Sequence, residues 1–146
     1  MRSKPRFHKQ ETTYSCVPAC LRIVLSSFDI AIPEAELRDR CDCTPFGTEA
    51  LKAVDVARAL GFSNTIKATL NFDELVEQLE AGYYPIILVN LLPIDGIKDA
   101  HAIVSLEAKP NYVKVYDPLK GERILPTSTL MTAWTMMSNL TILVIP

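Results

Sequence analysis

The chain opens on helical periodicity and closes on strand periodicity. In CVPACLRIVLSSF, residues 16–28, Cys20, Ile23, Val24 and Ser27 recur on one face at helical spacing. Ser15 is the expected N-cap, and Pro18 falls in the first turn, where a missing N–H does no harm. Residues 29–32 read as a break, and a second helix is expected after Pro33 in EAELRDRC. Residues 44–47 form a loop. Thr48 can then cap a third helix, EALKAVDVARAL, which Gly61 stops, with Leu51, Val54, Ala57 and Leu60 as its buried stripe. Asn71 or Asp73 opens a fourth helix, FDELVEQLEAG, again ended by glycine. From there PIILVNL, AHAIVSLE and YVKVYD are β-rich runs separated by turn signals. ILPTSTLMTAWTMM returns to helix, and LTILVIP is a last strand. Helices first and mostly antiparallel strands afterwards argue for an α+β fold rather than a doubly wound sheet.

Size and composition bound the function classes. A chain of 146 residues has the size of one domain and buries roughly two-thirds of its unfolded surface without a metal or disulfide. No repeat or linker divides it, so residues 1–146 are expected to form a single domain, with 1–9 as a flexible tail. The net charge of -2, with both signs dispersed, argues against nucleic acid as a partner, since phosphate binding needs a concentrated basic footprint. No signal peptide is evident and no apolar run approaches the ~18 residues of a membrane span, so a cytoplasmic location is expected. Cys16, Cys20, Cys41 and Cys43 are then expected to be free thiols. Cys41 and Cys43 enclose a single residue, tighter than a zinc knuckle, so neither metal nor other cofactor is expected.

The candidate chemistry lies in Cys16, His101, Asp117 and Gln10. Cys16 begins the first expected helix, where free N–H groups and the helix dipole favour a thiolate, though a buried structural thiol fits that position equally well. Cys20, one turn on, reads as core. His8 lies in the basic N-terminal run, whereas His101 opens a strand. The segment AHAIVSLEAKPNYVKVYDP reads as a hairpin turning at residues 109–111, which brings His101 and Asp117 to the same end of adjacent strands. A carboxylate there can fix the imidazole tautomer and leave the other ring nitrogen for a thiol. Gln10, before the first helix, supplies an amide that could join the Cys16 N–H in stabilising an oxyanion.

These pieces resemble the bacteriocin-processing (double-glycine leader) cysteine peptidase family. The likeness rests on Q-x5-C-x-x-A-C-L, present as QETTYSCVPACL, and continues through ELRDRC, FGTEALKAVDVARALGF, YYPIILVN, AHAIVSL, VKVYDPLKGERIL and the tryptophan of LMTAWT. It implies a papain-like fold in which N-terminal helices carrying the cysteine pack on a C-terminal antiparallel sheet carrying His and Asp. It further implies Cys16 as nucleophile, His101 as general base, Asp117 as its orienting acid and Gln10 as oxyanion donor. The expected partner is a peptide or protein substrate, with a separately encoded transporter as a conceivable associate. The chain departs from the family pattern at Val17, where glycine is common, and in a longer NLLPIDGIKDAH before His101. Neither a membrane domain nor a Walker motif accompanies it. A catalytically inactive peptide-binding module of the same fold is the alternative.

Overall fold

The computed structural model describes residues 3–146. Helices α1 (Cys16–Ser26), α2 (Glu34–Arg40) and α3 (Ala50–Ala59) come first. Strand β1 (Ile66–Thr69), α4 (Phe72–Glu80), β2 (Ile86–Asn90) and the short α5 (Leu92–Asp95) follow. The chain ends with β3 (Ala100–Ala108), β4 (Tyr112–Asp117), β5 (Gly121–Pro126), α6 (Thr127–Thr135) and β6 (Leu140–Leu143). The strands form one antiparallel sheet in the order β1-β6-β2-β3-β4-β5.

Strand parity explains how this sheet is covered on both faces. On β2, Ile86 and Leu88 join Ala102, Val104 and Ile142 in a core shared with Leu21, Val24, Leu37 and Val54 of α1–α3. Ile87 and Val89 point the other way, into a core with Ile103, Val115 and Leu125, closed by Leu75 of α4 and Leu130 and Trp134 of α6. A strand buried on both faces reads as a continuous apolar run, and IILV does. The expectation of helices packed on an antiparallel sheet holds for α1–α3, while α4 and α6 add a second layer on the opposite face.

Several boundaries differ from the sequence reading, each for a local reason. The β5 strand takes up residues 124–126, where the sequence pattern predicts helix; α6 begins only at Thr127, after Pro126. Strand β1 was missed because it is a short edge strand without alternating burial. Ser15 makes no side-chain cap on α1, its hydroxyl accepting instead from the Thr12 N–H. Glu49, not Thr48, precedes α3. Asn71 does cap α4, in a reciprocal capping box with Glu74.

The described residues of the expected tail over 1–9 make contacts with the body of the fold. Residues 3–9 run as a strap over the body: Pro5 is buried, the Arg6 N–H donates to Ser26 Oγ at 2.8 Å, and Phe7 packs edge-on against Tyr116. Lys4 pairs with Glu122 at 3.4 Å. Residues 1 and 2 lie outside the described residues. A terminus is loose only until apolar and backbone contacts tie it down, and Pro5 and Phe7 provide them.

Trp134 is fully buried, and its indole N–H donates to the Leu140 carbonyl at 3.2 Å, stapling α6 to β6. Trp134→Ala is therefore expected to lower the unfolding free energy by about 3–5 kcal/mol, read as a lower urea midpoint with an unchanged slope.

Candidate active site

Cys16 is the first residue of α1, and every other residue of that helix except Arg22 is buried. Because α1 packs on β3, the helix cannot shift without opening the core, and its free N-terminal N–H groups sit at the sheet end. The Cys16 thiol is half-buried and free, as is Cys43, while Cys20 and Cys41 are buried. Burial pushes the Cys20 thiol well up and the Cys41 thiol up to about 12, so neither is a nucleophile near neutrality.

His101 enters from the second position of β3, paired with Val89 of β2. Asp117 closes β4 on the neighbouring strand, and the antiparallel pairing brings both to the same sheet end. Nε2 of His101 lies 2.8 Å from Asp117 Oδ1, with both side chains buried. That contact leaves Nδ1 for another partner, and the Cys16 thiol lies close enough to the ring to act on its charge. Burial works against the imidazolium, but the Asp117 carboxylate and the Cys16 sulfur overcome it and raise the His101 pKa to about 9. The same burial opposes ionisation of Asp117. His101, the Leu119 N–H and the Arg123 guanidinium outweigh it and hold the carboxyl below its ordinary range.

Gln10 is buried beside this group, its backbone N–H donating to the Pro118 carbonyl at 2.7 Å, next to Asp117 in the chain. Its side-chain amide donates to the Thr12 carbonyl at 2.7 Å, and its Oε1 has no partner. An amide nitrogen carries two protons, so one donor remains for an incoming acceptor. The next N–H, on Glu11, donates at 3.0 Å to the fully buried Glu34 of α2, which Arg38 neutralises at 3.3 Å. The loop before Cys16 is thus clamped on both sides of Gln10.

Sequence reasoning missed Arg123, Asp95 and Glu34. Arg123 of β5 touches Asp117 Oδ2 at 3.2 Å and grips both oxygens of Asp95 in α5 at 3.0 and 2.7 Å. Strand parity could have found Arg123, which lies opposite Val115 and therefore on the face that Asp117 shares two residues later. Nothing in the sequence pairs Asp95 with it. A cavity of about 230 Å³ between the strap and the C-terminal end of α1, lined by Arg6, His8, Arg22 and Ile32, excludes the Cys16 group. Among the described residues, no cluster of His, Cys, Asp or Glu forms a metal-ligand set, and no helix is long and apolar enough to cross a membrane.

Comparison with known proteins identifies the family and the fold. The profile of the Peptidase C39 family matches residues 4–144. No curated protein matches the chain. Among solved structures, the chain is similar to a C39-like peptidase from Bacillus anthracis, at a TM-score of 0.82 and 16% identity over 97% of this chain and 94% of that one. It is also similar to the peptidase domain of Streptococcus ComA, a bifunctional ABC transporter of a quorum-sensing pathway, at a TM-score of 0.80 and 24% identity over 99% and 100% of the two chains. A double-glycine-motif protease from an AMS/PCAT transporter, crystallised with its leader peptide, gives 0.75 and 21% over 97% and 91%. These likenesses bear out the α+β fold expected from the sequence. With its family profile spanning nearly the whole described chain, this protein belongs to the Peptidase C39 family and is a cysteine peptidase.

Proposed function

We propose that this peptidase cleaves leader peptides through a Cys16 thiolate paired with a His101 imidazolium, with Asp117 orienting the ring and Gln10 donating to the oxyanion. The observation that carries the reading is the 2.8 Å His101–Asp117 contact beside the Cys16 sulfur, all held by the α1–β3 core. The thiolate adds to the scissile carbonyl carbon, and the oxyanion receives the Gln10 amide and the Cys16 N–H. The C–N bond then breaks as the imidazolium gives its proton to the departing amine. Water adds to the thioester, His101 takes its proton, and the acid product leaves as the C–S bond breaks. The leader-peptide class is supported by the family, and by the double-glycine-motif protease whose structure contains its leader peptide. A neighbouring exporter as associate follows from the transporter origin of two structural relatives. A reducing compartment such as the cytoplasm suits four free thiols.

The direct test incubates the purified chain with peptides carrying double-glycine leaders and reads products by mass. The wild type is expected to cut at one bond and Cys16→Ala not at all. Tight binding without cleavage by the wild type would overturn the hydrolytic reading in favour of a binding module.

The pH dependence follows from His101. An ion pair needs the imidazolium, so cleavage is expected to fall as pH rises through about 9. A rate that instead climbs through that region would mean a neutral imidazole acting on a thiol. Asp117→Asn removes the charge that raises the imidazolium pKa. It is expected to move this basic limb to lower pH and to slow turnover at least about tenfold, measured as a kcat–pH profile.

A further inference from the structure

We propose that Arg123, gripped by Asp95, is the positioning residue of this site: it locks the Asp117 carboxylate on the His101 ring and adds its charge to the field around the Cys16–His101 pair. The inference rests on the thiol-peptidase reading of Cys16 and His101 and adds two residues to it.

The geometry is a chain of charge-assisted bonds. Asp117 Oδ1 accepts from the Leu119 N–H at 2.9 Å and faces His101 Nε2 at 2.8 Å, while Oδ2 accepts from Arg123 at 3.2 Å. A carboxylate held by one donor can swing about its terminal torsion; donors on both oxygens stop that motion. The Arg123 guanidinium is itself fixed by the two-pronged grip of Asp95, whose side chain is 12% exposed, with Lys120 a second cation 3.8 Å from that carboxylate. Asp95 ends α5, and Gly96 follows in the left-handed conformation at φ 72°, turning the chain back toward β3 and His101. The Leu91 N–H bonded to the Asp99 carbonyl at 2.8 Å closes that segment on itself. One guanidinium therefore bolts the 91–99 segment to the acid that orients the imidazole. A lysine could supply the charge but not the planar fork that serves two carboxylates.

The charged and titratable groups around Asp117 come from every neighbouring element. They are His101 of β3, Cys20 of α1, Arg123 of β5, and Asp95 of α5 with Lys120 beside it, while Cys16 of α1 acts on the His101 ring. Removing a cation from this set disfavours the Cys16 thiolate and raises the pH at which it forms, whereas removing an anion does the reverse. A purely structural clamp has no such sign, since losing either partner of the Asp95–Arg123 pair would only destabilise.

The experiment follows alkylation of Cys16 by neutral iodoacetamide against pH, with labelling at each thiol read by peptide mass. Wild type, Arg123→Gln, Arg123→Lys and Asp95→Asn are compared, and thermal unfolding is measured on each. Arg123→Gln is expected to raise the midpoint for Cys16 alkylation by a fraction of a pH unit and Asp95→Asn to lower it by a similar amount. Arg123→Lys is expected to hold the wild-type midpoint while turnover falls, because charge is kept and the fork is lost. Midpoints that move in the same direction, or stay put while melting temperatures drop, would overturn the proposal. An Arg123→Lys midpoint equal to that of Arg123→Gln would also count against it. Alkylation needs no substrate, so a wild type that cuts no leader peptide would fail the functional reading while these midpoints still decide the role of Arg123.

Discussion

The packing of α1 against the sheet governs where everything else can be. This helix is buried on nearly all sides, with Leu21 and Leu25 fully enclosed and Ile23 and Val24 pressed into the core shared with β2 and β3. A helix so enclosed has essentially one axial position, because interiors are packed too densely to let it slide. Its first residue therefore stands at one end of the sheet, where β3 begins and β4 finishes. The Cys16 thiol needs no loop to place it. Its position is inherited from the core, and the strap from residue 3 to Gln10 is tied to the same core through Ser26 and Tyr116.

Around that fixed point the polar groups are arranged so that few buried charges stand alone. His101 and Asp117 compensate each other, Arg123 serves two carboxylates, and Glu34 holds a backbone N–H while Arg38 balances its charge. Buried ions are costly without partners, and here the partners come from elements far apart in the chain. The site is thus also a knot joining α1, α2, α5 and three strands of the sheet. Stability and reactivity draw on the same contacts.

Much of this was legible in the residues. The β-rich runs of β3 and β4 and the hairpin between them were enough to bring His101 and Asp117 to one sheet end, while Cys16 joined them through its helix-start position and the family resemblance. The capping box at Asn71 and Glu74 was readable because its chemistry is local. What stayed hidden depends on distant partners. Strand β1 is defined by pairing with β6, more than half the chain away, and has no periodicity of its own. The docking of residues 3–9 depends on Tyr116, and the Asp95–Arg123 pair spans α5 and β5; neither leaves a local mark. Pro126 misled because proline at a helix start and proline ending a strand look alike when the pairing partner Tyr112 is unknown.

The unequal burial of the four thiols has a chemical corollary. Cys20 and Cys41 are screened by both inaccessibility and raised pKa, so an electrophile meets only Cys16 and Cys43. Cys43 directs its S–H toward the carbonyls of Tyr14 and Thr44, which cannot accept its proton as an imidazole can. The molecule thereby contains its own reference thiol. A covalent inhibitor can be ranked within one polypeptide by how strongly it prefers the first residue of α1 to that neighbour, with no second protein needed for comparison.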